Sequence, residues 1–195
     1  MAGWGDMDEA LAYAGGVLRG DLVRLREARE QDYAQVAEWS ADPAVGILQT
    51  GWVRPEPAEA SIERMRVLCA NDGNDVGFVV EALDGATLLG RVGLRRVGKN
   101  RCAELAIVID PPYWGNGYGS DASRVLVRYG FAEMGLHRIE LDVFAFNTRA
   151  IATYAKLGFV EEGRRRQAIY HDGQWHDDVQ MGLLADEWRQ SAPAR

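Results

Sequence analysis

Three glycines spaced two apart, Gly115, Gly117 and Gly119, stand between an apolar run and a helical pattern. Alternating glycines let a backbone come close to a ligand, and the free N–H groups of the first helical turn point at whatever binds there. A phosphate suits such a turn, favoured by about 0.3–1 kcal/mol through the helix dipole. A plain, tight strand-to-helix corner would use the same spacing, and the glycines alone do not separate the two readings. Neither common nucleotide fingerprint is present: no Lys-Ser/Thr follows as in a P-loop, and the third glycine falls one residue too early for a dinucleotide fold. Cys69 and Cys102 lack the context of a nucleophilic thiolate and read as structural. His137, His171 and His176 have no metal-ligand spacing with each other or with the cysteines, so no metal is expected.

The elements that must hold this turn are legible on either side of it. Residues 105–109 form an unbroken apolar run of strand formers, as a strand covered on both faces would. Pro111 and Pro112 stop it, since neither can donate to a ladder. Beyond Ser120, the apolar residues Ala122, Val125, Leu126 and Tyr129 recur at the one-face spacing of a helix.

Elsewhere, residues 22–26 begin a first strand, and 31–40 and 57–70 are expected helices, the second with Pro57 in its first turn. Residues 44–55, with two glycines and Trp52, read as irregular. Strands at 76–83 and 87–97 turn about Asp84-Gly85, 102–109 is the central strand, and 137–146 is a further one. Asn147 caps a helix over 147–157 that Gly158 ends, and 159–170 pairs with 174–184 around His171-Asp172-Gly173. Residues 1–21 read as an appendage with a short helix at 8–13, 22–188 as a single domain, and 189–195 as a tail.

At 195 residues and 47% hydrophobic, the chain can build one domain with a real core. No apolar run is long enough to span a membrane, and the N-terminus lacks the basic and apolar segments of a secretion signal. With two cysteines and no disulfide framework, a cytoplasmic protein is expected. The net charge of −7 argues against non-specific nucleic-acid binding and is compatible with a cationic substrate.

The turn resembles the pyrophosphate loop of the GNAT acetyltransferases, whose core pattern is Arg/Gln-x-x-Gly-x-Gly/Ala. Gly117 and Gly119 take the small positions, and Trp114 stands where Arg or Gln is usual. The string Tyr113-Trp114-Gly115-Asn116-Gly117-Tyr118-Gly119 is the form seen in the Rim-type branch, which acetylates protein N-terminal amines and includes small-amine and drug acetyltransferases. A second segment, Asn147…Ala150…Tyr154-Ala155-Lys156-Leu157-Gly158-Phe159, is similar to that family's next landmark, and Gly163-Arg164 with residues 172–177 resembles its C-terminal hairpin. The resemblance covers about residues 22–188. It implies an α+β GNAT fold: a mixed, mostly antiparallel central sheet flanked by helices, with a splayed strand pair that binds coenzyme A.

The same resemblance implies site roles. Acetyl-CoA would be the acyl donor, its pyrophosphate held at Trp114, Gly115, Asn116, Gly117, Tyr118, Gly119 and Ser120. Its pantetheine arm would pair with Ile107, Val108 and Ile109, whose backbone would polarise the thioester carbonyl, and would meet Asn147. Tyr154 stands where the family keeps a tyrosine to protonate the leaving thiolate; as a residue on an amphipathic helix it could equally be core. Glu104 and Asp142 are alternative general bases, each also readable as an exposed strand carboxylate. An N-terminal amine needs little help, being about a tenth neutral at pH 7, whereas a lysine is neutral about once in 2,500 molecules. Trp39, Trp52, Tyr170 and Trp175 are candidates for the acceptor pocket, and could equally be core or the face of a homodimer. The expected activity is direct transfer of an acetyl group to a primary amine, of a protein N-terminus or a small molecule. A catalytically silent acyl-CoA-binding sensor or interaction module is the alternative.

Overall fold

The computed structural model describes residues 5–50, 53, 56–71 and 75–191. Seven strands form one sheet: β1 (Val23–Arg26), β2 (Val76–Ala82), β3 (Leu88–Arg95), β4 (Cys102–Ile109), β5 (Arg138–Phe144), β6 (Val160–His171) and β7 (Gln174–Leu184). Their spatial order is β1-β2-β3-β4-β5-β7-β6, and every neighbouring pair is antiparallel except β4 and β5. A parallel pair needs a long crossover, which α5 (Tyr118–Ala132) supplies.

The two faces of the sheet are covered differently. On one, α5 and α6 (Thr148–Lys156) lie over the main core, where Leu94, Leu126, Ile139 and Leu183 are sealed from solvent. On the other, α2 (Glu30–Ala41) and α4 (Ala58–Cys69) pack Val36, Trp39 and Met65 over Val79 and Leu88. That second face is fastened by charge. Arg26 bonds both Asp32 of α2 and Glu81 of β2, and Arg24 also pairs with Glu81. Burial alone would raise both carboxyls, yet the arginine hydrogen bonds outweigh it and hold them below the usual carboxylate range.

Most expected elements appear within one or two residues of their forecast ends, and four places differ. Residues 43–50 form a helix, α3 (Pro43–Thr50), where an irregular stretch was expected. The Asp42 carboxylate accepts the Ala44 N–H at 2.7 Å and Pro43 is set for a first turn, so local capping overrides the Gly46 punctuation. Pro57 precedes α4 as its N-cap rather than lying inside it. A final helix, α7 (Ala185–Ser191), includes the first residues of the expected tail, and its Trp188 ring lies 5.4 Å from that of Phe131. At the other end, α1 (Met7–Gly16) is longer than expected, and Arg128 of α5 donates to the carbonyls of Gly16 at its end and of Val17 and Arg19 beyond it.

Asp32→Ala should destabilise the fold by about 1–3 kcal/mol, because it removes one of the two carboxylates that hold the half-buried Arg26 and the side chain that accepts the Arg29 N–H at the start of α2. Pairing lowers the folded-state values of Asp32 and Glu81. Their contribution is therefore complete above the free carboxylate range near 4 and is lost as pH falls through the lowered values. Urea melts at several pH values should show the wild type weakening in acid and the variant weakening less.

Candidate active site

The site begins where two strands part. β4 and β5 pair only over Cys102–Arg138, Ala103–Ile139 and Glu104–Glu140, and beyond Glu104 they diverge. A cleft of about 770 Å³ opens between them, bounded by β4, the glycine turn, α6, the end of β5, Ile169 of β6, Asp178 of β7, and α3.

The parity of the β3–β4 ladder decides what β4 offers to this gap. Asp110 N–H bonds the Leu89 carbonyl at 2.9 Å, and Gly90 stands opposite Ile109. Even-numbered β4 residues therefore turn their polar groups toward β3, and Leu105, Ile107 and Ile109 turn theirs toward the gap. Two of those carbonyls are occupied: Gln49 Nε2 donates to Ile107 O at 2.9 Å, and Trp114 Nε1 donates to Ile109 O at 2.6 Å. The N–H groups of Ile107 and Ile109 face the cleft, two donors in line for carbonyl oxygens of an extended ligand.

At the far end the turn is shaped for an anion. Gly115 and Gly117 hold φ of 82° and 85°, the left-handed region that side chains resist. Gly117 is the N-cap of α5, so the unbonded N–H groups of Tyr118, Gly119 and Ser120 point outward at the positive end of the dipole. A Cβ at Gly115 would meet nothing within 4 Å, so backbone conformation rather than crowding demands glycine there. The Arg149 guanidinium stacks over the Trp114 ring at 4.6 Å and lines the same cleft.

At the near end lie the titratable groups. Tyr154 lines the cleft with its ring edge-on to Phe159 at 5.9 Å, and burial pushes its phenol up to about 12, which keeps the proton in place at neutral pH. Glu104 is clamped by Arg95 and by Arg96, the latter at 2.6 Å. Asp142 pairs with Arg165, which also pairs with Asp178. Asp178 is buried; desolvation raises its carboxyl above the usual range despite the arginine.

The cleft therefore gathers Glu104, Ile107, Val108, Ile109, Trp114, Gly115, Gly117, Tyr118, Gly119, Ser120, Asp142, Asn147 and Tyr154. Asn147 also caps α6 by accepting the Ala150 N–H at 3.2 Å. Asn116 stays outside, its side chain donating to the Tyr113 carbonyl. Trp39 is off the cleft wall: it is 5% exposed in the second core, and its side chain hydrogen-bonds the Asp110 carboxyl. The Tyr170 and Trp175 rings meet at 5.0 Å, tilted 58° to each other, beside the β6–β7 turn, exposed and away from the cleft. Trp52 lies outside the described residues.

Sequence reasoning missed Gln49, Arg95, Arg149 and Asp178. For Arg149 the signal was its place two residues after a helix cap. For Asp178 it was strand alternation, since core-facing Val179 and Met181 put it on the opposite face. Cys69, whose thiol burial pushes up to about 11, and Cys102 do not line the cleft. Among the described residues no group of three or more His, Cys, Asp or Glu could hold a metal ion, and no helix is long and apolar enough to cross a membrane.

Comparison with known proteins agrees with this geometry. Residues 23–160 match the Acetyltransferase (GNAT) domain. YoaA of Bacillus subtilis (strain 168), an uncharacterized N-acetyltransferase, is 30% identical over 83% of this chain and 92% of its own. The spermidine N(1)-acetyltransferase of Escherichia coli (strain K12) is 29% identical over 85% and 88%. The crystal structure of Vibrio cholerae spermidine N-acetyltransferase with CoA and spermine superposes with a TM-score of 0.76 at 25% identity, covering 86% of this chain and 98% of that one. With a splayed parallel strand pair, a glycine turn at a helix N-terminus and a family match over most of its length, this chain belongs to the GNAT acetyltransferases and is an N-acetyltransferase.

Proposed function

We propose that this N-acetyltransferase moves the acetyl group of acetyl-CoA directly to the primary amine of a small molecule, with both substrates bound together. The observation that carries the reading is that one cleft unites two inward-facing N–H groups on β4, a buried phenol and three carboxylates. Acetyl-CoA supplies an acetyl group already activated as a thioester. The residues fit such a ligand: open space at Gly115, free N–H groups at Tyr118, Gly119 and Ser120, and the Arg149 cation for phosphates, with the Ile107 and Ile109 N–H groups for the arm and its carbonyl. Tyr154, held protonated, is positioned to give its proton to the leaving sulfur. Glu104, Asp142 and Asp178 lie on the sheet face opposite the main core, where an ammonium group would be welcome. That two relatives are named for acting on spermidine supports a small-molecule amine over a protein N-terminus, while the turn string still favours a place near the Rim-type branch.

Coenzyme A release across a panel of polyamines, amino acids, aminoglycosides and free N-terminal peptides should single out one small-amine class. Turnover confined to the peptides would overturn the choice of acceptor. Tyr154→Phe should bind acetyl-CoA as the wild type does and lose about 10²–10⁴ in kcat; an unchanged kcat removes the phenol from the chemistry. Gly117→Val forces a β-branched residue to φ 85° and puts a Cβ 3.2 Å from Leu22 Cδ1. Calorimetry should show its acetyl-CoA affinity at least tenfold weaker, since about 1–3 kcal/mol of backbone strain falls on the turn that holds the phosphates.

A further inference from the structure

Across the cleft end of the sheet, three carboxylates share one face, and two of them have an ordinary explanation. Glu104 is saturated by two guanidiniums, and Asp142 is well exposed beside Arg165. Asp178 is different. Its side chain is 6% exposed, only its Oδ2 meets Arg165, and Oδ1 is buried with no hydrogen-bond partner. A buried carboxylate oxygen that accepts nothing from the protein is costly in a folded chain. Its residue nonetheless forms part of the cleft wall, opposite Phe144 of β5 and Arg165 of β6. An oxygen of this kind is completed by a ligand that brings a donor.

We infer that Asp178 is the carboxylate that receives the acceptor's ammonium group and takes its proton, a catalytic role that rests on the acetyl-transfer reading above. The ammonium donates to Oδ1 and passes one proton to it. The freed nitrogen attacks the thioester carbonyl carbon, the C–N bond forms, and the C–S bond breaks. Tyr154 protonates the departing sulfur. The second proton lost by the nitrogen restores Tyr154, and the one on Asp178 leaves to solvent with the product. Arg165 holds Oδ2 and Asp142 together, which fixes the direction of the free oxygen. The raised carboxyl suits the task, because a base is most effective when its own value approaches the working pH.

The charged or titratable groups facing Asp178 are Arg165 from β6 and Asp142 from β5, with His176 two residues along its own strand. As a base, Asp178 must be ionised, so kcat/KM should fall as pH drops through its value. Asp178→Asn should lose about 10²–10⁴ in kcat/KM for the best amine of the panel, keep its acetyl-CoA affinity, and show no such acidic limb. Asp178→Glu should restore a limb, and His176→Gln should retain it. A uniform loss of rate with the limb intact means Asp178 only supports the structure and overturns the inference.

A second measurement works without turnover. In ¹³C-aspartate-labelled enzyme with coenzyme A bound, the Asp178 carboxyl is assigned by its absence in Asp178→Asn and then titrated with methylammonium chloride. A saturable shift of that resonance is expected, and none, or a shift at Asp142 alone, overturns the assignment. A silent amine panel together with a shifted Asp178 resonance would refute the transferase acceptor class while leaving the ammonium site standing.

Discussion

The divergence of β4 from β5 is the constraint on which the rest of the site depends. A strand inside a sheet has both edges satisfied, whereas past Glu104 one edge of β4 is left open. Backbone groups at an open edge must find partners. Here the answer is asymmetric: Gln49 and Trp114 take the carbonyls of Ile107 and Ile109, and their N–H groups remain turned to the gap. The edge is thereby changed from a generic template for another strand into a row of donors, selective for a chain of carbonyl oxygens.

The glycine turn continues that logic from strand to helix. Two left-handed glycines swing the chain so that α5 starts with its N-terminus at the end of the cleft. Trp114 serves both halves, since its indole N–H closes a β4 carbonyl while its ring face carries the Arg149 guanidinium. A cation brought from α6 thus stands beside the turn whose own sequence has no arginine at the position where the family usually keeps one.

Charge is arranged by the same economy. On the helix-covered part of the second face, Arg24 and Arg26 with Asp32 and Glu81 form a closed set that locks α2 to β1 and β2. Under the cleft the pairing is incomplete: Asp178 Oδ1, Arg95 Nε and Ser123 Oγ, all in residues of the cleft wall, have no hydrogen-bond partner in the protein, and of these Asp178 Oδ1 alone is an acceptor on a carboxylate.

The sequence by itself determined the elements and their order, because apolar periodicity, capping residues and glycine–proline punctuation are local signals. It placed β4 and β7 at their observed ends, put Asn147 at the cap of α6, and marked the turn at Gly115, Gly117 and Gly119. It misjudged residues 43–50, where one aspartate cap outweighed a glycine. What only the tertiary structure decided was which side chains converge. Trp39 and the Tyr170–Trp175 pair looked like pocket walls because aromatic residues are read alike on any surface, and packing sends the first into a core and the others to an exposed turn. Arg149 and Asp178 were invisible for the opposite reason. A charged residue in a polar stretch reads as solvated until its strand or helix meets the neighbouring ones, and burial and pairing are properties of that meeting, not of the neighbouring letters.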